Sequence, residues 1–158
     1  MMRRLLLCMV FLLPGVSLAA GSSWIAQMEE DEGGPVMVAS VEADAGGGTL
    51  VPMLRLMCGG SGEFTLRYET STEGAAIGSK ADFLFENETA QLTRQLVYEE
   101  MDGAFAGYFP VTDPLLALLR AGATVTVSEA KGNLPAQAFS LKGSSKAIAT
   151  LLKSCASS

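Results

Sequence analysis

The sequence predicts a mainly β protein: a small antiparallel β-sandwich or partly open barrel, with one short internal helix and a C-terminal helix packed on the sheet. Three observations lead there. Apolar and polar residues alternate on both sides of Gly59-Gly60-Ser61-Gly62, the pattern of a hairpin with one buried face. Further short extended runs follow, separated by turn residues. Near its end the chain carries Ile148, Leu151, Leu152 and Cys155, spaced so that all four share one helical face.

Taken in order, Trp24 to Met28 and Pro35 to Val41 read as the arms of a first hairpin, with Glu29-Glu30-Asp31-Glu32-Gly33-Gly34 as its charged turn. Ala43 to Gly48 is a flexible loop. In the next hairpin Leu54, Leu56 and Cys58 share one face of the first strand, and Phe64, Leu66 and Tyr68 share one face of the second. Ser71 to Ser79 is a loop of small residues. Extended runs follow over Ala81–Glu86, Gln91–Glu100 and Ala104–Phe109. Asn87-Glu88-Thr89, which also matches the N-glycosylation triplet, and Met101-Asp102-Gly103 are the turns between them. Asp113 is placed to cap a short helix whose first residue is Pro114, where the missing N–H costs nothing. Leu115, Leu116, Leu118 and Leu119 are its apolar stripe, and Gly122 ends it. Two strands, Thr124–Glu129 and Ala136–Leu141, precede a last helix capped by Ser144 or Ser145 and running to about Ser154.

The first twenty residues read as a cleaved export signal. Arg3 and Arg4 precede an apolar run broken at Pro14, and Ser17 and Ala19 supply small residues for cleavage after Ala19 or Ala20. The run is much shorter than the ~20 residues that span a bilayer. Cys8 lies too early to be a lipidated first residue. The expectation is therefore a signal peptide over 1–20 and a single β-rich domain over 21–158, periplasmic or secreted, with no membrane span in the mature chain. Loss of the two arginines takes the net charge from −6 to −8. That balance disfavours nucleic acid and suits a basic protein partner. Two cysteines remain, Cys58 and Cys155, 97 positions apart. An even count in an exported chain points to one disulfide. Each cysteine, judged from its own local pattern, faces the same core.

The chain has no histidine. A Ser-His-Asp or Cys-His arrangement is impossible, and the commonest zinc ligand is missing. Ser144-Ser145-Lys146 sits where a helix begins, so capping accounts for its serines. Gly59 to Gly62 lacks the lysine and helix of a phosphate loop. The run Glu29 to Glu32 lacks the alternation of a calcium loop. As a hydrated turn it also lacks the desolvated acid that glycoside hydrolysis needs. No catalytic residue, metal or cofactor is expected. Trp24, Glu29, Glu30, Asp31 and Glu32 form the candidate partner-binding set, although Trp24, Tyr68, Tyr98 and Tyr108 suit the β core as well as a binding face.

Leu54-Arg55-Leu56-Met57-Cys58, the glycine turn and Phe64-Thr65-Leu66 form one motif. Phe139-Ser140-Leu141-Lys142-Gly143, leading through Ala147-Ile148 to Leu151-Leu152-Lys153-Ser154-Cys155, forms another. Over about Met53 to Cys155 the chain resembles exported proteobacterial proteins of the VasI type, associated with type VI secretion. It is also similar to invasion-associated locus B proteins. The second resemblance implies a non-enzymatic protein of the periplasm, and the first an exported protein connected with secretion. The VasI pattern further implies a strand cysteine paired with the cysteine that ends the last helix. Two features of that pattern have no counterpart here: no cysteine lies between the signal and Cys58, and the sole tryptophan is Trp24. The function expected is a periplasmic binding or accessory protein connected with secretion or the cell envelope. The alternative is an inhibitor or immunity protein against a cationic cell-wall enzyme of the lysozyme kind.

Overall fold

The computed structural model describes residues 22–31, 33–44, 50–60, 62–72 and 75–156. The expected leader and Glu32 lie outside them. Among these residues nine strands form one antiparallel sheet: β1 (Ile25–Asp31), β2 (Gly34–Glu42), β3 (Met53–Cys58), β4 (Glu63–Glu69), β5 (Lys80–Glu86), β6 (Gln91–Glu99), β7 (Ala104–Pro110), β8 (Thr124–Glu129) and β9 (Gln137–Ser140). Helix α1 (Pro114–Leu118) follows β7, and helix α2 (Ser144–Cys155) follows β9. The strand order is β1-β2-β3-β4-β7-β6-β5-β8-β9. The order β4-β7-β6-β5 is a Greek key, and β7-β6-β5-β8 is a second one sharing the same three strands.

The sheet curls without closing. A single bridge, Ala43 to Phe139, brings the end of β9 back to β2, and the Asp44 N–H donates to Ala138 O at 3.2 Å. Farther along β2 the strand β1 takes its place, from Ile25 opposite Ser40 to Asp31 opposite Gly34. Of the two architectures compatible with the sequence, the partly open barrel is the one formed.

Period-2 alternation decides which side chains fill it. Ala39, Leu56 and Leu66 stand in register across β2, β3 and β4, as do Val41, Leu54, Tyr68 and Phe105 across β2, β3, β4 and β7, all in one buried cluster. Aromatic rings make up much of the interior. Tyr68 meets Phe83 and Phe139 edge-on at 5.4 and 6.0 Å, and Phe83 meets Phe105 at 5.0 Å. Gly107 opposes Leu66 on β4 because a Cβ there would lie 2.6 Å from both Leu96 Cδ2 and Phe109 Cζ. Leu115, Leu116, Leu118 and Leu119 bring α1 into the core. Asp113 caps α1 as its sequence position implies, accepting from Leu115 N at 2.8 Å. The same carboxylate holds Arg94 at 2.9 and 3.0 Å. Asn87 serves the other end of α1: its amide nitrogen donates to Leu118 O and Ala121 O, both at 2.9 Å. Carbonyls left over at a helix end are thereby satisfied.

Three expectations are corrected. The acidic run is not a turn from Glu29 onward, because β1 continues through Asp31 and pairs Glu29, Glu30 and Asp31 with Val36, Pro35 and Gly34. Neither Ser144 nor Ser145 caps α2. The N-cap is Gly143 at φ 82°, with no side-chain cap bond; Ser144 is buried and the Ser145 hydroxyl donates to Arg120 O. The helix also runs one residue further than expected, to Cys155. Ala147, Ile148 and Leu151 are its buried face. A disulfide joins Cys155 to Cys58 on β3, with Cα atoms 5.3 Å apart. Among the described residues no helix is long and apolar enough to cross a membrane.

Candidate functional site

The outward faces of β1, β2, β3, β4 and β7 carry the densest chemistry of the described residues. Residues opposite one another in neighbouring strands share a face. One outer row runs Ile25, Ser40, Arg55, Arg67, Ala106, and the next runs Gln27, Val38, Met57, Thr65, Tyr108. Arg55 and Arg67 are directly opposed, which like charges disfavour. Carboxylates on neighbouring elements offset this. Arg55 pairs with Glu29 of β1 and, at 3.1 Å, with Glu69 of β4. Arg67 pairs with Asp102 at 2.9 Å and with Glu99 at 3.9 Å. Glu99 also accepts from the Tyr108 hydroxyl at 2.9 Å, which raises the Tyr108 pKa above its ordinary value. Val38, Ser40, Met57, Thr65 and Ala106 are buried on this same outer face. The stems of Arg55 and Arg67 run among them and hold the charged heads above.

A groove of about 380 Å³ crosses this face, with Gln27, Glu29, Glu42, Met53, Arg55 and Glu69 among its lining. It holds three carboxylates against one guanidinium. Ile25, 49 % exposed, also lines it, and Tyr108 on β7 is 60 % exposed on the same outer face; Met28 alternates to the opposite face of β1.

The candidate binding set therefore separates. Glu29 stands in the groove. Glu30 and Asp31 are exposed at the far end of β1. Trp24 is only 5 % exposed and belongs to the core cluster, so its ring is not an outward contact. Its backbone N–H donates to Lys142 O, which pins the start of β1 to the approach to α2. Its indole N–H is buried without an acceptor among the described residues. Trp24 also walls a second groove, of about 300 Å³, between β1 and α2, with Ala26, Gly143, Ala147 and Thr150. Tyr68 is core, its hydroxyl buried without a well-aligned partner and with Thr70 as its polar neighbour. Tyr98 packs on the core, and Tyr108 alone of the four aromatics faces solvent. Arg55, Arg67 and Glu69 were not expected here, whereas Tyr108 was among the aromatics that suit a binding face. Their grouping depends on strand register, which alternation within a single strand does not reveal.

A third cleft, of about 320 Å³, lies over Phe105 between the segment before β5 and the turn after β8. Its one carboxylate, Glu129, is held by the Asn133 backbone N–H at 2.7 Å and side-chain amide at 3.1 Å. Among the described residues no group of three potential ligands could hold a metal ion.

Neither a protein-family model nor a curated protein sequence matches this chain. Among solved structures it is similar to the crystal structure of invasion associated protein B from Bartonella henselae. The TM-score is 0.57 at 16 % identity, covering 82 % of this chain and 90 % of that one. At that identity the likeness is one of fold.

Proposed function

We propose that this protein is a non-enzymatic binding or accessory protein of the cell envelope, exported to the periplasm, and that it works by holding another protein on its outer sheet face. The observation that carries the reading is the combination there of exposed Ile25 and Tyr108 with a groove holding three glutamates and one arginine. Exposed apolar groups among charges are the make-up of a contact patch. The complete lack of histidine and the fold shared with an invasion associated protein support the same reading. An association with type VI secretion would be one setting for such a protein.

A photoactivatable amino acid at Tyr108, in cells exporting the full chain, tests it. One and the same protein should be cross-linked there, and not from Lys131 at the distant cleft. Absence of any cross-link, together with turnover of a small substrate by the purified protein, overturns the proposal. A second reading rests on the net charge of −8 expected for the mature chain: an inhibitor of a cationic cell-wall enzyme, drawn to it electrostatically. Unchanged muramidase activity at stoichiometric excess of this protein rules that version out.

A further inference from the structure

We infer that the outer edge of β1 is a docking edge for an extended segment of a partner protein, in which apolar and cationic side chains alternate. The inference rests on the binding reading above and names the place and the chemistry of the contact.

β1 ends the sheet order, and among the described residues no strand pairs with its other side. Edge strands are usually blunted by charged side chains, lysine above all, by proline or by a bulge. β1, Ile-Ala-Gln-Met-Glu-Glu-Asp, has no proline, lysine or bulge over its seven pairs with β2, and its charges, Glu29, Glu30 and Asp31, are all acidic and gathered at one end. From Ile25 to Glu30 the side away from β2 presents backbone donors and acceptors that no strand takes up among the described residues.

The two flanks of that edge differ chemically. On one flank lies the groove between β1 and α2, where Trp24, Ala26, Ala147 and Thr150 offer a mostly apolar wall with Lys146 as its one charged residue. On the other flank lies the outer groove with Glu29, Glu42 and Glu69 against Arg55. A strand added to an edge sends successive side chains to opposite faces. One set therefore enters the apolar groove while the other lies beside the carboxylates. Charge complementarity makes that second set lysine or arginine. A second copy of this chain is a poor occupant, since its own β1 carries Glu29, Glu30 and Asp31 and both copies are negative.

The probe is a short end-blocked peptide alternating lysine and valine. Its controls are a glutamate-valine alternate and a block peptide with all lysines before all valines. Titrated into the full mature protein at physiological salt, the alternating lysine peptide should bind at least about tenfold tighter than either control. Amide exchange should slow at every second residue of Ile25–Asp31, a period that side-chain contact alone does not produce. Thr150→Trp fills the apolar groove and Gln27→Lys places a cation at the acidic one. Both positions are exposed, and each variant should weaken the peptide about tenfold with an unchanged melting curve. Equal binding of alternating and block peptides, protection away from β1, or a dimer formed through β1 in the absence of peptide overturns the inference. If cross-links at Tyr108 persist while the β1 variants behave as wild type, the edge is wrong and the binding role stands. If Tyr108 captures nothing yet the peptide binds as described, the edge stands and the wider role fails.

Discussion

Replacing Cys58 and Cys155 together by alanine removes the one cross-link among the described residues, and its effect follows from chain length. The bridge joins positions 97 apart. Loop-closure entropy for about 100 residues corresponds to about 4.7 kcal/mol, and residual structure in the denatured chain brings the usual measured loss to about 2–4 kcal/mol. Unfolding entropy of about 2.1 cal/mol/K per residue turns that into a fall of roughly 7–14 °C in melting temperature. Urea unfolding followed by the emission of Trp24 is the natural assay, since this sole tryptophan is buried in the core and lines the groove beside α2. The loss should be spatially ordered as well. α2 has three buried apolar anchors, Ala147, Ile148 and Leu151, and without the bridge its amides should exchange before those of the central strands. A stability loss under about 1 kcal/mol, or an α2 as protected as β4, would refute the reasoning.

Asp113→Ala removes both the α1 cap and the Arg94 pair, and should cost about 1–2 kcal/mol in urea unfolding, more than Arg94→Ala. Gly107→Ala puts a methyl within 2.6 Å of Leu96 and Phe109, and overpacking of that kind should cost about 1–3 kcal/mol. Burial raises the Tyr68 pKa above its ordinary 10.0. Its contribution to stability is therefore present below pH 10 and is lost as pH rises through the folded-state value. Tyr68→Phe should leave neutral stability within about 0.5 kcal/mol, because it removes a poorly satisfied hydroxyl, and should push alkaline unfolding, followed by circular dichroism, to higher pH.

Much of the fold was legible because local rules and the tertiary structure agree. Leu54, Leu56, Phe64, Leu66 and Tyr68 alternate inward as written, and Asp113-Pro114 starts α1 where capping chemistry places it. The shared inward direction of Cys58 and Cys155 could be read from two unrelated periodicities. Where the reading failed, a longer-range partner decided. Glu29 to Asp31 look like a turn until β2 supplies backbone bonds to extend the strand and Arg55 supplies a counter-charge. Ser144 looks like a cap until Gly143, with its left-handed backbone beside Trp24 O, takes that place. The outer face could not be foreseen from alternation, because Arg55 and Arg67 meet only once register is fixed. Nor does alternation tell β4 to pair with β7 and not with β5, the strand that follows it.

That last pairing governs how the chain reaches its native state. The β3–β4 hairpin is complete by Glu69, but the other edge of β4 finds its neighbour only when Ala104 to Pro110 arrive. β8 likewise reaches β5 only after β6, β7 and α1 have been made. A chain made from its N-terminus thus presents β4, with Phe64, Leu66 and Tyr68 on one face and a bare row of amides along one edge, for as long as the intervening residues take to follow. Non-local pairing of this kind sets folding in the millisecond-to-second range, slow enough for an unpaired apolar edge to meet another chain. The Greek key that gives the barrel its stable centre thereby leaves the nascent chain open to capture by other chains, and mutations that slow the arrival of β7 should reduce yield before they reduce stability.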